Sequence, residues 1–125
     1  MAAADFESIN ARLRSIIAPY VEGLTPKINT PKHVEYYKVG PVNIGGKAKD
    51  EVFVFGVRVG KSYVSFYVFP LYTHPDEVPV PNSLVPRRQG KNCFNFTKSI
   101  DAIQFRDLNI LVKQAWEVYR THGIL

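Results

Sequence analysis

The residues that could do chemistry are three histidines, one cysteine and a run of arginines, and their spacing sorts them quickly. His33, His74 and His122 lie in three separate segments, with no pair at the close spacing of a zincin or a zinc finger. His74 with Asp76 and Glu77 offers at most a weak metal cluster; exposed loop residues are the expected reading, because solvated carboxylates beside one imidazole are a common surface composition. Cys93 has Arg87, Arg88 and Lys91 on one side and Phe94 on the other. Cations lower a thiol pKa, yet a thiolate nucleophile also needs a positioned base, and no histidine is near in sequence. Cys93 therefore reads as a small core thiol. As the only cysteine it excludes an intrachain disulfide and any multi-cysteine zinc site.

The densest basic cluster is Arg87-Arg-Gln-Gly-Lys91. Arginine forks suit carboxylate or phosphate, and a glycine-bearing turn can aim backbone N–H groups at an anion. The G-x-x-x-x-G-K-[ST] spacing of a P-loop is absent, and the competing reading is a solvated loop. Arg58, Tyr63, Ser65 and Tyr67, with Tyr36 or Tyr37 and Asn95 from neighbouring strands, form a second constellation. Aromatic walls with a few convergent polar groups are what a small-molecule site needs, and a loop bearing Tyr72 and His74 could close over it. Two other readings stand beside this one: an isologous dimer across the same face, or cover by the chain's own loop. Aromatic and basic residues on a sheet also suit RNA, but the RNP signature is missing and the helix order is wrong, so nucleic acid is not expected.

Elements must position these groups. Phe6, Ile9, Leu13, Ile16, Ile17 and Tyr20 recur at steps of three and four and predict an amphipathic helix from Phe6 to about Ala18, with Asp5 as N-cap. Pro31 to Val39 reads as a strand bounded by Gly40-Pro41, and Val42 to Asp50 as a mobile connection. Glu51–Val59 and Ser62–Phe69 read as a hairpin, turning through Gly60-Lys61 with a positive φ at Gly60. Alternation puts Phe53, Phe55, Val57, Val59, Val64, Phe66 and Val68 in the core, and Val54, Gly56, Arg58, Tyr63, Ser65, Tyr67 and Phe69 on the opposite face. Leu71 to Pro86, with four prolines, is a long loop, and Asn92–Thr97 a short strand. Asp101 and Gln104 form a capping box that opens a helix carrying Phe105, Leu108, Leu111, Val112, Ala115, Trp116 and Tyr119 on one face, stopped by His122-Gly123. Two terminal amphipathic helices and an antiparallel sheet combine most simply as a two-layer α+β sandwich with both helices on one face.

A length of 125 residues suits one domain, and 46% hydrophobic with 22% charged residues exclude disorder and coiled coil. The net charge of +5 is uneven: residues 27–49 carry +4 and residues 87–98 another +4. Such an excess favours anionic ligands or phosphate. No apolar run approaches the length of a membrane span, and the start Met1-Ala-Ala-Ala-Asp5 lacks a signal pattern, so a cytoplasmic location is expected.

Two blocks, Lys61-Ser-Tyr-Val-Ser-Phe-Tyr-Val-Phe-Pro-Leu-Tyr72 and Gly90-Lys-Asn-Cys-Phe-Asn-Phe96, resemble the YdhG-like family of small bacterial domains of unknown function. Its strand of the type K-x-Y-V-x-F-x-x-x-P-x-Y is followed by a loop and G-K-x-C-F-x-F. The resemblance implies a frataxin-like fold and, from some relatives, iron delivery. Frataxin-type iron binding uses an acidic ridge along the first helix, whereas here Asp5, Glu7 and Glu22 are set against Arg12 and Arg14. The expected function is thus non-enzymatic binding of a small anionic ligand or a partner, with iron handling or a homodimeric interaction as alternatives. The expected site is Arg58, Tyr67, Tyr72, Arg88, Lys91 and Asn95, with no cofactor and no metal.

Overall fold

A computed structural model describes residues 5–125. The helix α1 spans Phe6–Ile17, and Asp5 caps it by accepting from the Ser8 N–H at 3.2 Å. Pro19 tightens the exit into a 3₁₀ turn, Ala18–Tyr20. Five strands follow in sequence: β1 Thr25–Thr30, β2 His33–Ile44, β3 Lys47–Val59, β4 Val64–Val68 and β5 Cys93–Phe96. They form one antiparallel sheet in the order β1-β2-β3-β4-β5, so every neighbour in the sheet is a neighbour in the chain. Between β4 and β5 lie the one-turn helix α2, Pro70–Thr73, and a 3₁₀ turn, Asn82–Arg87; helix α3, Ala102–Thr121, closes the chain. The proline-rich stretch expected as a loop therefore carries two helical turns: Pro70 opens α2, where its missing N–H costs nothing, and the 3₁₀ turn starts after Pro81 and holds Pro86 next to its last residue.

The architecture is the expected two-layer α+β sandwich. Helix α1 packs on β3 and β4, and α3 packs on α1, α2 and the 3₁₀ turn. A single core cluster joins Ile9, Leu13, Ile16 and Ile17 of α1 with Val54, Phe55, Val57, Val64, Phe66, Val68, Phe94 and Phe96 of the sheet and Leu108, Leu111, Val112, Ala115 and Tyr119 of α3. Burial of each large apolar side chain contributes about 1.5–3 kcal/mol. Tyr119 is fully buried, and burial pushes its hydroxyl up to about 12 against the opposing hydrogen bond from Thr73. Arg12 lies 4.4 Å over the Phe105 ring and Tyr20 meets Trp116 at 5.7 Å, which ties the two long helices along their rim.

Four expectations change. Residues 42–50 are not a loose connection: β2 and β3 run on as a hairpin arm, turning at Gly45-Gly46 with φ of +59° and +79°, the pair of positive values that a type I′ turn demands. The strand passes Gly40-Pro41 because that pair sits in a bulge opposite Asp50, where a proline breaks no ladder. The β3–β4 connection is a four-residue loop, 60–63, closed by the Gly60 N–H on the Tyr63 carbonyl at 2.9 Å, and Gly60 does not take a positive φ. Finally, Tyr36 pairs with Phe55 and Tyr37 with Phe53, so Val54 is an extra residue in β3. This bulge shifts the alternation by one, putting Val54 in the core and Phe53 on the open face, the reverse of the expected assignment.

Candidate anion-binding face

Register across the strands arranges the uncovered side of the sheet in rows. His33, Arg58, Ser65 and Asn95 lie opposite one another on β2, β3, β4 and β5; Glu35, Gly56, Tyr67 and Cys93 form the next row. Tyr37 and Phe53 begin a third row, which Phe69 and Tyr72 continue beyond β4. Its rings are 5.4 Å apart for Tyr37 and Phe53, 5.7 Å for Phe53 and Phe69, and 5.4 Å for the stacked Phe69–Tyr72 pair. Gly56 makes room for this array, since a Cβ there would stand 2.8 Å from the Phe53 ring. Lys27 and Lys91 cap its two ends over Tyr37 and Tyr72, at 5.2 and 5.4 Å from the ring centres.

The polar row opens into a hollow of about 270 Å³ lined by Arg58, Gly60, Lys61, Ser62, Tyr63, Ser65 and Tyr67. Two cations and four hydroxyls line it, and no carboxylate of the described residues does. Among the described residues neither Arg58 nor Lys61 is in a salt bridge. The carboxylate nearest in register, Glu35, is engaged elsewhere: it meets His33 Nε2 at 2.8 Å and accepts from the Tyr37 hydroxyl at 3.1 Å. Burial and that bond to Glu35 raise the Tyr37 pKa. Behind the hollow the Ser65 hydroxyl donates to Asn95 Oδ1 at 2.7 Å, which fixes its orientation.

The expected site residues divide accordingly. Arg58 and Tyr67 line the hollow, and Asn95 supports it through Ser65 without lining it. Tyr72 and Lys91 lie at the other end of the aromatic row, where a more apolar hollow of about 360 Å³ is lined by Ile44, Val52, Phe53, Phe69 and Tyr72 with Lys47, Lys49, Glu51 and Thr73. Arg88 joins neither: its guanidinium donates to the Lys91 carbonyl at 2.7 and 3.2 Å and holds the Gln89–Lys91 turn closed. Tyr36 is on the core side, so Tyr37 is the β2 aromatic of this face. Lys61 and Ser62 were not among the expected ligands; their signal is the polar, four-residue loop at the end of two apolar strands. Cys93 is half-buried on the open face beside Tyr67, not in the core.

His74 does not close over this face. It turns to α3, packing edge-on to Tyr119 at 5.7 Å and against the His122 ring at 4.4 Å. Burial and the neighbouring His122 lower its pKa, against the opposing pull of Glu77. Asp5, the acid at the start of α1, is committed to the helix cap. No helix among the described residues is long and apolar enough to cross a membrane. Compared with family models, with curated proteins and with solved structures, the chain matches none.

Proposed function

We propose that the chain is a binding domain of the YdhG-like type that takes a small phosphate- or carboxylate-bearing molecule in the Arg58–Lys61 hollow. The observation that carries this reading is the charge lining: two cations with no salt-bridge partner among the described residues, beside four hydroxyls, on a sheet face that the helices leave uncovered. A guanidinium offers a planar fork to an oxyanion, and hydroxyls adapt by rotation to the remaining oxygens. The aromatic row adjoining Tyr67 supplies an apolar surface for the rest of the molecule. The YdhG-like assignment rests on the two sequence blocks, which fall on β4–α2 and on β5 with the turn before it. An iron-handling reading has less support, because Asp5 is spent as a cap and Glu7 is the one acid in the first turn of α1.

Thermal unfolding in the presence of inorganic phosphate, a sugar phosphate and citrate tests the proposal. A ligand at ten times its Kd stabilises by about 1.4 kcal/mol, which raises the midpoint of a domain of this size by about 5 °C. The wild type is expected to show such a rise with at least one probe, and the Arg58→Ala, Lys61→Ala double variant to show none. Equal shifts in the two proteins, or a flat response of the wild type to all three, would overturn the site.

A further inference from the structure

A second constellation lies away from the open face, where the segment after β4 meets the end of α3. Helix α2 ends at His74, and the Glu77 N–H donates to the His74 carbonyl at 3.1 Å across Pro75-Asp76, a turn that brings the two side chains together. His122 is the C-cap of α3. Its position is set by a Schellman motif: the Gly123 N–H donates to the Arg120 carbonyl at 3.0 Å, the Ile124 N–H to the Tyr119 carbonyl at 2.8 Å, Gly123 takes φ +72°, and Ile124 is buried. One potential ligand atom from each of His74, Glu77 and His122 lies within 4.8 Å of the other two. His122 Nε2 meets both carboxylate oxygens of Glu77, at 2.8 and 2.9 Å.

We infer that His74, Glu77 and His122 form a binding site for a divalent transition cation of the zinc class, which fastens the segment after β4 to the C-terminus of α3. Two imidazoles and one carboxylate are a donor set that zinc accepts and that magnesium and calcium, which want oxygen ligands, do not favour. His74 Nδ1 is already bonded to Thr73 Oγ1 at 2.8 Å, and that oxygen lies 2.8 Å from the buried Tyr119 hydroxyl. This outer chain orients the ring and leaves Nε2 to bind, as the second ring nitrogen of a metal-bound histidine is usually held. Zinc bonds of about 2.0–2.2 Å place tetrahedral ligands about 3.3 Å apart. Glu77 and His122 then separate by a few tenths of an ångström while His74 closes in, movements that side-chain rotation supplies. The exposure of Glu77 and His122 leaves the fourth position to water. The sequence set His74 beside Glu77 but hid the third ligand, because His122 is 45 residues from Glu77.

The test uses the full chain freed of metal with a chelator and titrated with zinc chloride. The expected result is one equivalent bound per chain, with a rise in thermal midpoint and no comparable response to magnesium. The chain has three histidines, so ring-nitrogen NMR of the wild type identifies the ligands directly: the signals of His74 and His122 shift at one equivalent, while His33, paired with Glu35 on the open face, serves as internal control. Glu77→Gln and His122→Gln are each expected to weaken binding at least tenfold. Absence of the paired His74 and His122 shifts, a zinc response confined to His33, or wild-type affinity in both variants would overturn the site. The NMR readout decides the matter alone if either variant fails to fold.

Discussion

Burial raises the Cys93 thiol above its ordinary range, while hydrogen bonds from Ser65 and Tyr67 pull it down by less. The basic cluster before it in sequence does not reverse this, because Arg88 is turned onto the Lys91 carbonyl and Lys91 sits over Tyr72. The local sequence thus misplaced the residue: the thiol is half-buried and faces the open side of the sheet beside Tyr67. Its neighbours Phe94 and Phe96 are the buried ones, and alternation along β5 puts Cys93 and Asn95 on the other face. Alkylation by iodoacetamide at pH 7.5 is expected to run at least tenfold slower in the native protein than for free cysteine, and to reach the free rate in denaturant. A native rate at or above that of free cysteine would mean an activated nucleophile and reopen the question of catalysis. The open-face placement of Arg58 and Tyr67 was legible from alternation alone, since both lie on the stretch of β3 and β4 that keeps its parity. Phe53 was not, because one inserted residue, Val54, reverses the parity of everything before it.

At the level of elements, the bulges explain most of what periodicity could not show. A strand read from hydrophobic alternation ends where alternation fails, so Gly40-Pro41 looked like a boundary when it is an interruption within one continuous arm. The helices were legible because their stripes and caps are local: Asp5, Asp101 and Gly123 all sit where the sequence places them. Even so, the capping box of α3 is only half formed. The Gln104 N–H donates to Asp101 Oδ1 at 2.7 Å, but the Gln104 side chain leaves the box and donates to the Ser83 carbonyl at 3.2 Å. Beside it the Ser83 hydroxyl donates to Asp107 Oδ2 at 2.6 Å, so the 3₁₀ turn 82–87 is tethered to α3 by two side chains. The Ser83 bond, with further help from Arg106 and against the effect of burial, holds the Asp107 carboxyl below the usual carboxylate range. A group whose pKa is lower folded than unfolded adds stability above the unfolded value, near 3.9, and loses it as pH falls through the folded value. Denaturation midpoints measured between pH 2.5 and 7 should therefore fall more steeply at the acid end for the wild type than for Asp107→Asn, with the variant less stable at neutral pH. Parallel acid limbs in the two proteins would show that Asp107 gains nothing from its partners on folding.

On the scale of the whole molecule, strand lengths divide the sheet into unequal parts. The two basic segments, residues 27–49 and 87–98, belong to β1–β3 and to β5, and the strand order puts them toward opposite edges instead of on one patch. That distribution matches a face with a cation at each end of its aromatic row better than it matches a surface for a long polyanion. Between the edges, β4 pairs with β3 only over Val59–Phe55, so residues 47–53 of β3 have β2 as their single ladder partner. A two-stranded ribbon is marginal on its own, and beyond Val42 and Val52 the arm buries little. The Lys27–Glu51 pair at 2.6 Å braces its base, but both side chains are exposed and such a pair contributes under about 1 kcal/mol. Residues Phe55–Val57, by contrast, have strands on both sides and α1 above. Amide hydrogen exchange should follow this division, with residues 43–50 exchanging through local opening and Phe55, Val57 and Phe66 only through global unfolding. Denaturant well below the midpoint should accelerate the second group and leave the first unchanged. Equal protection across the two groups would mean that the arm is held by a partner surface, and would favour association through this part of the sheet over the isolated binding domain.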